Sequence, residues 1–404
     1  MKKLILSMAL IGATTLAFGQ KKVVRSAERN FKSGDLPAAM ADIVAASTDP
    51  DTGSDPATYL LKAQIETKLF GSDSSNTAAT VETGYAALAT YNKAFEMAGS
   101  NKQDGVGEEV YTEDLPGVPD NLRPYSIFTL KNFSYDKALE RYNAEDQEMA
   151  YEFFNLAGEI DLTDTTAHYN AGFIAQELGN FDDAKKHYGY LLDVEEYNKL
   201  TVYYLMVQIL SGEDQNPEAA YDIIMEGRED YPDDKILAEY EIQLLLQLNK
   251  MDEAMASIQE ALKNDPNNAG ILLRSGYLKE QAGDIQGALE DYKKSVVADS
   301  EFYDGNYYTG ALLLEKSREI LAELNSLSDE EWEAKSESMG KQANLHYAEA
   351  VPYFEKALEI RPENTNLMAI LFRVHARLKN TAETEKYNKR LIELEGPNWQ
   401  EKEF

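Results

Sequence analysis

The chain has 404 residues, 43% of them hydrophobic and 27% charged, a composition that can form a sizeable core and excludes a largely disordered chain. It contains no cysteine, which excludes disulfides, thiol catalysis, cysteine-ligated metals and lipid attachment at a cysteine. The formal net charge of −32 disfavours nucleic acid and anionic lipid as partners, and it leaves two interpretations, solubility or a basic partner.

The first nineteen residues have the layout of a secretory signal peptide. Two lysines precede the apolar stretch 4–17, and the segment ends in Ala-Phe-Gly. This stretch is shorter than the roughly 20 residues that cross a bilayer. We therefore expect cleavage after Gly19, a periplasmic or secreted mature protein that starts at Gln20, and no membrane insertion of that form. An uncleaved N-terminal anchor is the alternative.

A 34-residue period runs through most of the remaining chain. Small and apolar residues return at that spacing: Ala220, Ile224, Gly227 and Pro232 return as Ala254, Ile258, Ala261 and Pro266. Small residues at fixed positions let two antiparallel helices approach closely, and the proline ends the second helix. With this pattern the chain resembles the tetratricopeptide-repeat (TPR) family. The resemblance implies an all-α, right-handed superhelical solenoid of stacked helix-turn-helix units.

The same frame, followed outward, predicts about nine units. They are 20–53, a second that starts near residue 56, 131–164, 165–198, 201–234, 235–268, 269–302, an eighth that starts at residue 303, and 365–398. The second unit has about twelve inserted residues, predicted as a surface loop around Gly71–Asn76. The last unit carries Phe372 and Thr384 where small residues belong, as expected of a terminal cap.

Residues 102–130 fit no repeat and are rich in glycine and proline. A connector of this length is unusual inside a compact domain. Two interpretations stay open. Either the segment is a loop packed along the solenoid, or it separates an N-terminal pair of units, 20–101, from an array of about seven units, 131–404.

The eighth unit has about 28 inserted residues between Glu315 and Asn344. Its first helix is expected to continue to Leu324, and the Ser-Asp-Glu-Glu run at 328–331 is a capping box that opens the next helix. We predict an extended hairpin over 315–346. Trp332 would lie near its tip, either exposed as a contact residue or buried against the hairpin.

Patterns typical of catalysis, phosphate binding or metal binding are missing from the sequence. His168 and His187 lie on the two helices of one unit and could approach each other, but we expect ordinary helix-surface histidines. The acidic run at 49–55 departs from a calcium loop at its sixth and twelfth positions. The sequence thus predicts no enzyme, no cofactor and no metal site.

The TPR resemblance implies a concave groove lined by the first helix of each unit. The positions that face it predict these partner-binding residues: Tyr169, Phe173, Gln176, Glu239, Gln243, Gln247, Tyr277, Glu280, Gln281, Tyr307, Arg373 and Arg377. Rings and amides suit an extended or helical peptide. The Lys, Asn and Arg set with which some TPR domains hold a C-terminal carboxylate is mostly replaced by Glu and Gln, and only Arg373 and Arg377 are similar to it.

We therefore predict an exported, non-catalytic TPR scaffold or adaptor that binds a protein or peptide through this groove. The alternative is a carbohydrate- or small-ligand-binding envelope protein, because tyrosine-rich surfaces suit sugar stacking. Sugar-binding proteins with TPR-type helices carry a lipid-attachment cysteine, which this chain lacks.

Overall fold

The computed structural model describes residues 21–103, 105–119 and 122–401, so the predicted signal peptide lies outside the described residues. Throughout these ranges the regular structure is helical, without a strand, and the predicted all-α TPR solenoid class is confirmed. No described helix combines the length and the apolar character that a membrane crossing requires. The chain divides into two compact units, which meet in the sequence at Asp214 and Gln215.

The first compact unit contains ten helices among its described residues. In chain order they are α1 (21–33), α2 (Leu36–Thr48), α3 (Pro56–Ser72), α4 (Ala78–Met97), α5 (Gly105–Val110), α6 (Ile127–Asn143), α7 (Gln147–Ile160), α8 (Thr165–Glu177), α9 (Phe181–Asp193) and α10 (Leu200–Gln208). A π-helical turn, Ile209–Glu213, continues α10.

The second compact unit contains nine α-helices among its described residues. They are α11 (Pro217–Asp230), α12 (Lys235–Gln247), α13 (Met251–Asn264), α14 (Ala269–Gln281), α15 (Ile285–Ala298), α16 (Tyr303–Ser326), α17 (Asp329–Ile360), α18 (Thr365–Arg377) and α19 (Thr381–Glu395). A 3-10 turn at Trp399–Glu401 follows.

Helices that are neighbours in sequence pack as pairs within each compact unit: α3 with α4, α6 with α7, α8 with α9, α12 with α13, α14 with α15, α16 with α17, and α18 with α19. These pairs coincide with predicted TPR units. The boundary at Asp214 falls inside the predicted unit 201–234, between α10 and α11. The count of nine units and the division of the chain at 102–130 stay predictions.

Glycines on the first helix of a pair make room for a ring on the second. A Cβ atom added to Gly276 would lie 2.4 Å from the ring of Tyr292, and one on Gly172 would lie 2.7 Å from Tyr188. Both tyrosines are fully buried. The small residue of the repeat is therefore required by the aromatic side chain packed against it, because interiors have no spare volume.

An Asp or Asn begins the first helix of several units. The side chains of Asp164, Asp234, Asn268 and Asn364 accept hydrogen bonds from the backbone N–H three residues later. Each satisfies a donor that the first helical turn leaves unpaired. These caps fix where one unit ends and the next begins.

The insertion of the second unit mainly lengthens α3 and α4, and the surface-loop prediction is wrong for part of it. Asn76 is only 1% exposed. Its side chain donates to Glu140 at 2.8 Å and accepts from the Lys137 ammonium at 2.8 Å. The turn between α3 and α4 is thus held against α6.

The connector 102–130 packs onto its flanking helices. It forms the short helix α5, which contacts α3 and α4. Asp114 accepts hydrogen bonds from Arg123 at 2.6 and 2.8 Å, from Thr129 at 2.9 Å and from Asn132 at 2.8 Å. Burial opposes ionisation of this carboxyl, yet these donors lower its pKa to about 2. The interpretation as a packed loop fits these contacts.

The long hairpin predicted in the eighth unit is present as α16 and α17. Ser328 caps α17 reciprocally with Glu331, as the capping-box prediction required. Ser317 donates to the Ala343 carbonyl at 3.0 Å and joins the two helices. Trp332 is 49% exposed, in agreement with the exposed alternative.

An aromatic contact covers the end of the C-terminal pair, α18 and α19. Phe372, which occupies a position for a small residue, meets Trp399 edge to face with 4.9 Å between ring centroids. Trp399 is 1% exposed and donates its Nε1–H to Asn388 at 2.9 Å. The large residue is therefore explained by a ring that covers the end of this pair.

Candidate functional site

The predicted groove residues all reach the surface. Seven are exposed, namely Phe173, Gln243, Gln247, Tyr277, Gln281, Arg373 and Arg377, and Tyr169, Gln176, Glu239, Glu280 and Tyr307 are half-buried. Three of the twelve belong to the first compact unit and nine to the second. Their role as partner-binding residues stays a prediction.

Several polar members of this set already have partners within the repeats. The Tyr188 hydroxyl donates to Gln176 Oε1 at 3.0 Å, and the Tyr292 hydroxyl donates to Glu280 Oε2 at 2.7 Å. Glu239 accepts from the Asn268 amide at 2.9 Å. These side chains are positioned by the scaffold, so their remaining hydrogen-bonding capacity points in a fixed direction.

Three aromatic members of this set stack on a ring one turn away on the same helix. Tyr169 and Phe173 stack one turn apart on α8, with ring centroids 6.5 Å apart and planes 8° apart. Tyr303 and Tyr307 repeat this arrangement on α16, at 6.0 Å and 11°. Neighbours at i and i+4 share one helix face, which explains the geometry.

The second compact unit has a small pocket with mostly aromatic walls, which we call the tyrosine pocket. Its volume is about 120 Å³, and its lining residues are Leu273, Arg274, Tyr277, Tyr292 and Tyr308. Tyr277 is 39% exposed and Tyr308 is 41% exposed, whereas the Tyr292 ring is fully buried and closes the floor. Two exposed rings beside a buried one suit the insertion of one apolar side chain.

The polar groups of the tyrosine pocket are two phenols and one guanidinium. The pKa of Tyr308 is raised by burial and by Asp304, and that of Tyr292 by burial and by its bond to Glu280. Both phenols therefore stay protonated: the Tyr292 hydroxyl donates to Glu280, and the Tyr308 hydroxyl can donate to a ligand. The Arg274 guanidinium forms no ion pair with any residue in the described ranges. The pocket thus combines apolar walls with one available cation.

Sequence reasoning found Tyr277 but missed the other walls of the tyrosine pocket. Tyr308 follows the predicted groove residue Tyr307 on α16, and Arg274 lies three residues before Tyr277 on α14. The pocket forms where α14, α15 and α16 meet, so its walls come from two consecutive units. The two adjacent tyrosines, 307 and 308, were the signal that could have indicated the pocket. Successive residues of a helix point in different directions, so the two rings cannot line the same surface.

The two histidines of the unit 165–198 approach each other, and the surface prediction for them is wrong. Their Nδ1 atoms lie 2.9 Å apart, and His168 and His187 are 1% and 0% exposed. Burial lowers the pKa of both, that of His187 to about 4. They are neutral at pH 7, one donating to the other.

The repeats agree with a known family. The tetratricopeptide repeat family matches residues 215–269 and 241–306, and a second tetratricopeptide repeat match covers 346–364. The chain therefore contains tetratricopeptide repeats. Four of the five residues of the tyrosine pocket lie inside the matched range 241–306.

Two solved structures are similar to part of the chain. One is YrrB, described as a TPR protein with an unusual peptide-binding site, with 19% identity over 44% of this chain and 90% of that chain and a TM-score of 0.37. Another is MamA from Desulfovibrio magneticus RS-1, with 14% identity over 43% of this chain and 96% of that chain and a TM-score of 0.35. No curated protein matches the sequence.

Proposed function

We propose that the protein is an exported scaffold or adaptor without chemistry of its own, and that it binds an extended segment of a partner protein at the tyrosine pocket. The observation that carries the proposal is the open aromatic pocket within the tetratricopeptide repeats. Its rims are exposed, although aromatic side chains of this size are usually buried when they have no partner.

The chemistry of the pocket restricts the segment that it accepts. One aliphatic or aromatic side chain of the partner enters between Tyr277 and Tyr308 and rests on the Tyr292 ring. Arg274 at the wall can donate N–H hydrogen bonds to a backbone carbonyl or a carboxylate of the same segment. An apolar anchor followed by an acceptor is the expected motif.

The charge of the protein favours basic residues elsewhere in the partner. The net charge of −32 sets the long-range field, whereas Arg274 acts only beside the anchor. We expect association to slow as ionic strength rises, because exposed charges are screened over a Debye length of about 8 Å at physiological salt.

The direct test is selection of peptides from a random display library on the purified protein. Peptides that bind should share an apolar anchor, and Tyr277→Ala and Tyr308→Ala should each weaken them about tenfold or more, as loss of a central aromatic contact does. Ile392→Ala is the control, since Ile392 is 40% exposed on α19, the second helix of its unit, whereas the predicted groove residues all lie on first helices.

Peptides that bind the Tyr277→Ala variant as well as the original protein would contradict the proposed site. Failure to select any peptide, together with retention of glycans on the same protein, would replace protein binding by carbohydrate binding.

Export is a separate part of the proposal and rests on the signal pattern of residues 1–19. Mass determination of the protein recovered from its native cells should give an N-terminus at Gln20, in an envelope or secreted fraction. A cytoplasmic protein that retains Met1 would contradict this part and leave the peptide site untouched.

A further inference from the structure

Helices α17, α18 and α19 bring one histidine and two carboxylates together. Glu355 lies on α17, His375 on the last turn of α18 and Glu383 on the first turn of α19. Their ligand atoms all lie within 4.8 Å of one another. The three residues are far enough apart in sequence that no spacing motif connects them.

The imidazole of His375 has one nitrogen without a hydrogen-bond partner in the described structure. The residue is only 4% exposed, and its buried Nε2 has no donor or acceptor within hydrogen-bonding distance. The nearest carboxylate oxygen, Glu355 Oε1, is 3.7 Å away, too far for a hydrogen bond. A buried polar atom without a partner is costly and calls for a ligand.

The 3.7 Å gap has the size that two ligands of one metal ion require. Zinc binds imidazole nitrogen and carboxylate oxygen at roughly 2.0–2.2 Å, which places tetrahedral ligands about 3.4 Å apart. Glu355 and Glu383 are half-buried and can close on the ion by side-chain rotation. We propose that Glu355, His375 and Glu383 bind one Zn²⁺ ion, with water completing the coordination.

The surroundings hold the histidine in place for this role. The His375 ring stacks on Tyr387 at 5.7 Å and 12°, and Nδ1 lies 3.5 Å from the Asn380 amide. Nε2 is left on the side of Glu355, and contacts of this kind fix the ring orientation of metal-binding histidines. Glu355 and Glu383 both help to raise the pKa of Tyr387, after burial, to about 12.

Solvent reaches the cluster from the side of Glu355. A pocket of about 460 Å³ in the second compact unit is lined by Glu355 and Tyr387 and by the cations Lys386, Lys389 and Arg390, whereas His375 and Glu383 lie outside its lining. Lys386 pairs with Glu383 Oε2 at 2.7 Å, and a carboxylate has a second oxygen for the ion. A nitrogen ligand and only two carboxylates favour Zn²⁺ over Ca²⁺ or Mg²⁺, which prefer all-oxygen sites.

The test is calorimetric titration of ZnCl₂ into the whole metal-free protein, with Co²⁺ absorption as a probe of coordination. We expect one saturable Zn²⁺ per chain, a Co²⁺ spectrum of four- or five-coordinate type, and no displacement by Ca²⁺. Glu355→Gln and Glu383→Gln should each weaken binding roughly tenfold or more. His375→Gln should abolish the four- or five-coordinate Co²⁺ spectrum, because the ion loses its only nitrogen ligand.

Matched controls separate this site from general binding to an acidic protein. Glu385→Gln removes an exposed carboxylate two residues from Glu383, and His346→Gln removes a half-buried histidine of α17. Both should bind Zn²⁺ like the original protein. Circular dichroism checks that His375→Gln is folded, and if it is not, the two glutamate variants decide. Absence of a saturable site, or equal weakening in Glu383→Gln and Glu385→Gln, overturns the proposal.

Discussion

The buried histidine pair of α8 and α9 couples stability to pH. His168 faces Asp161 and Asp164, which favour its protonation, and Lys186, which opposes it, but burial dominates and lowers the pKa. His187 has a pKa of about 4 in the folded protein, against about 6.5 in an unfolded chain. The folded state therefore binds fewer protons in the range between these values.

We expect the free energy of unfolding to decrease as pH falls from about 6.5 to about 4, by up to roughly 1.4 kcal/mol per pH unit for one such group. The contribution is fully present above pH 6.5. Urea unfolding at several pH values measures it. His187→Gln should flatten the dependence, whereas His346→Gln should leave it unchanged. Equal pH slopes in His187→Gln and the original protein would contradict this account.

The ion-paired carboxylate of Asp114, in the connector, also makes the free energy of unfolding decrease as pH falls, but in a lower pH range. Asp114 has a pKa of about 2 because Arg123, Asn132 and Thr129 donate to it. Asp114→Asn should destabilise the first compact unit by about 3–5 kcal/mol, since Arg123 would remain in a partly buried site without its counter-charge. Chemical denaturation at neutral pH is the measurement, and Glu113→Gln, which changes the exposed carboxylate next to it in sequence and leaves that network intact, is the control. A decrease in the free energy of unfolding below about 1 kcal/mol would contradict this and show that the pair of Asp114 with Arg123 is as weak as an exposed surface ion pair.

At the scale of single helices, the repeat depends on glycines that differ in what surrounds them. Gly276 faces the ring of Tyr292, whereas a Cβ on Gly340 of α17 would meet nothing within 4 Å. Both lie in helices of the second compact unit. Their alanine variants therefore form a matched pair that separates packing from helix propensity.

Gly276→Ala should destabilise the second compact unit by roughly 1–3 kcal/mol, because the buried ring has to move. Gly340→Ala should stabilise it by about 0.5–1 kcal/mol through helix propensity and a less flexible unfolded chain. Urea denaturation followed by circular dichroism measures both. Two variants that shift stability in the same direction would show that the contact with Tyr292 does not matter.

The elements themselves were largely predictable from the sequence, because the repeat fixes both the small residues and the rings that face them. Ala288, Tyr292 and Gly276 lie where the 34-residue frame puts them. The frame could not predict that Asn76 is buried, because its contacts with Lys137 and Glu140 come from another unit. Nor could it predict the tyrosine pocket, since Tyr308 belongs to the unit after Tyr277. The cluster at His375 joins three helices and leaves no pattern in the sequence.

The charge of the whole molecule makes its stability depend on salt. A net charge of −32 means that like charges repel across the folded surface, although ion pairs such as Lys131 with Asp161 and Asp164 offset part of this. Screening is strong above about 0.1 M salt. We expect the melting temperature to rise when sodium chloride is increased from low to physiological concentration.

The control for this prediction is a variant in which exposed, unbridged carboxylates such as Glu148, Glu195 and Glu196 are changed to glutamine. Its melting temperature should respond less to salt. A melting temperature that falls with added salt in the original protein would show that ion pairs outweigh repulsion.

The placement of the two tryptophans gives the protein a built-in optical reporter. The sequence has only Trp332 and Trp399, and both belong to the second compact unit. Trp332, on α17, is half exposed, whereas Trp399 is buried against Phe372. Fluorescence excited at the indole band therefore follows this half of the chain alone, whereas far-ultraviolet dichroism follows all the helices. Superimposable unfolding curves from the two signals would mean that both halves melt as one cooperative system, and separated curves would reveal which half gives way first.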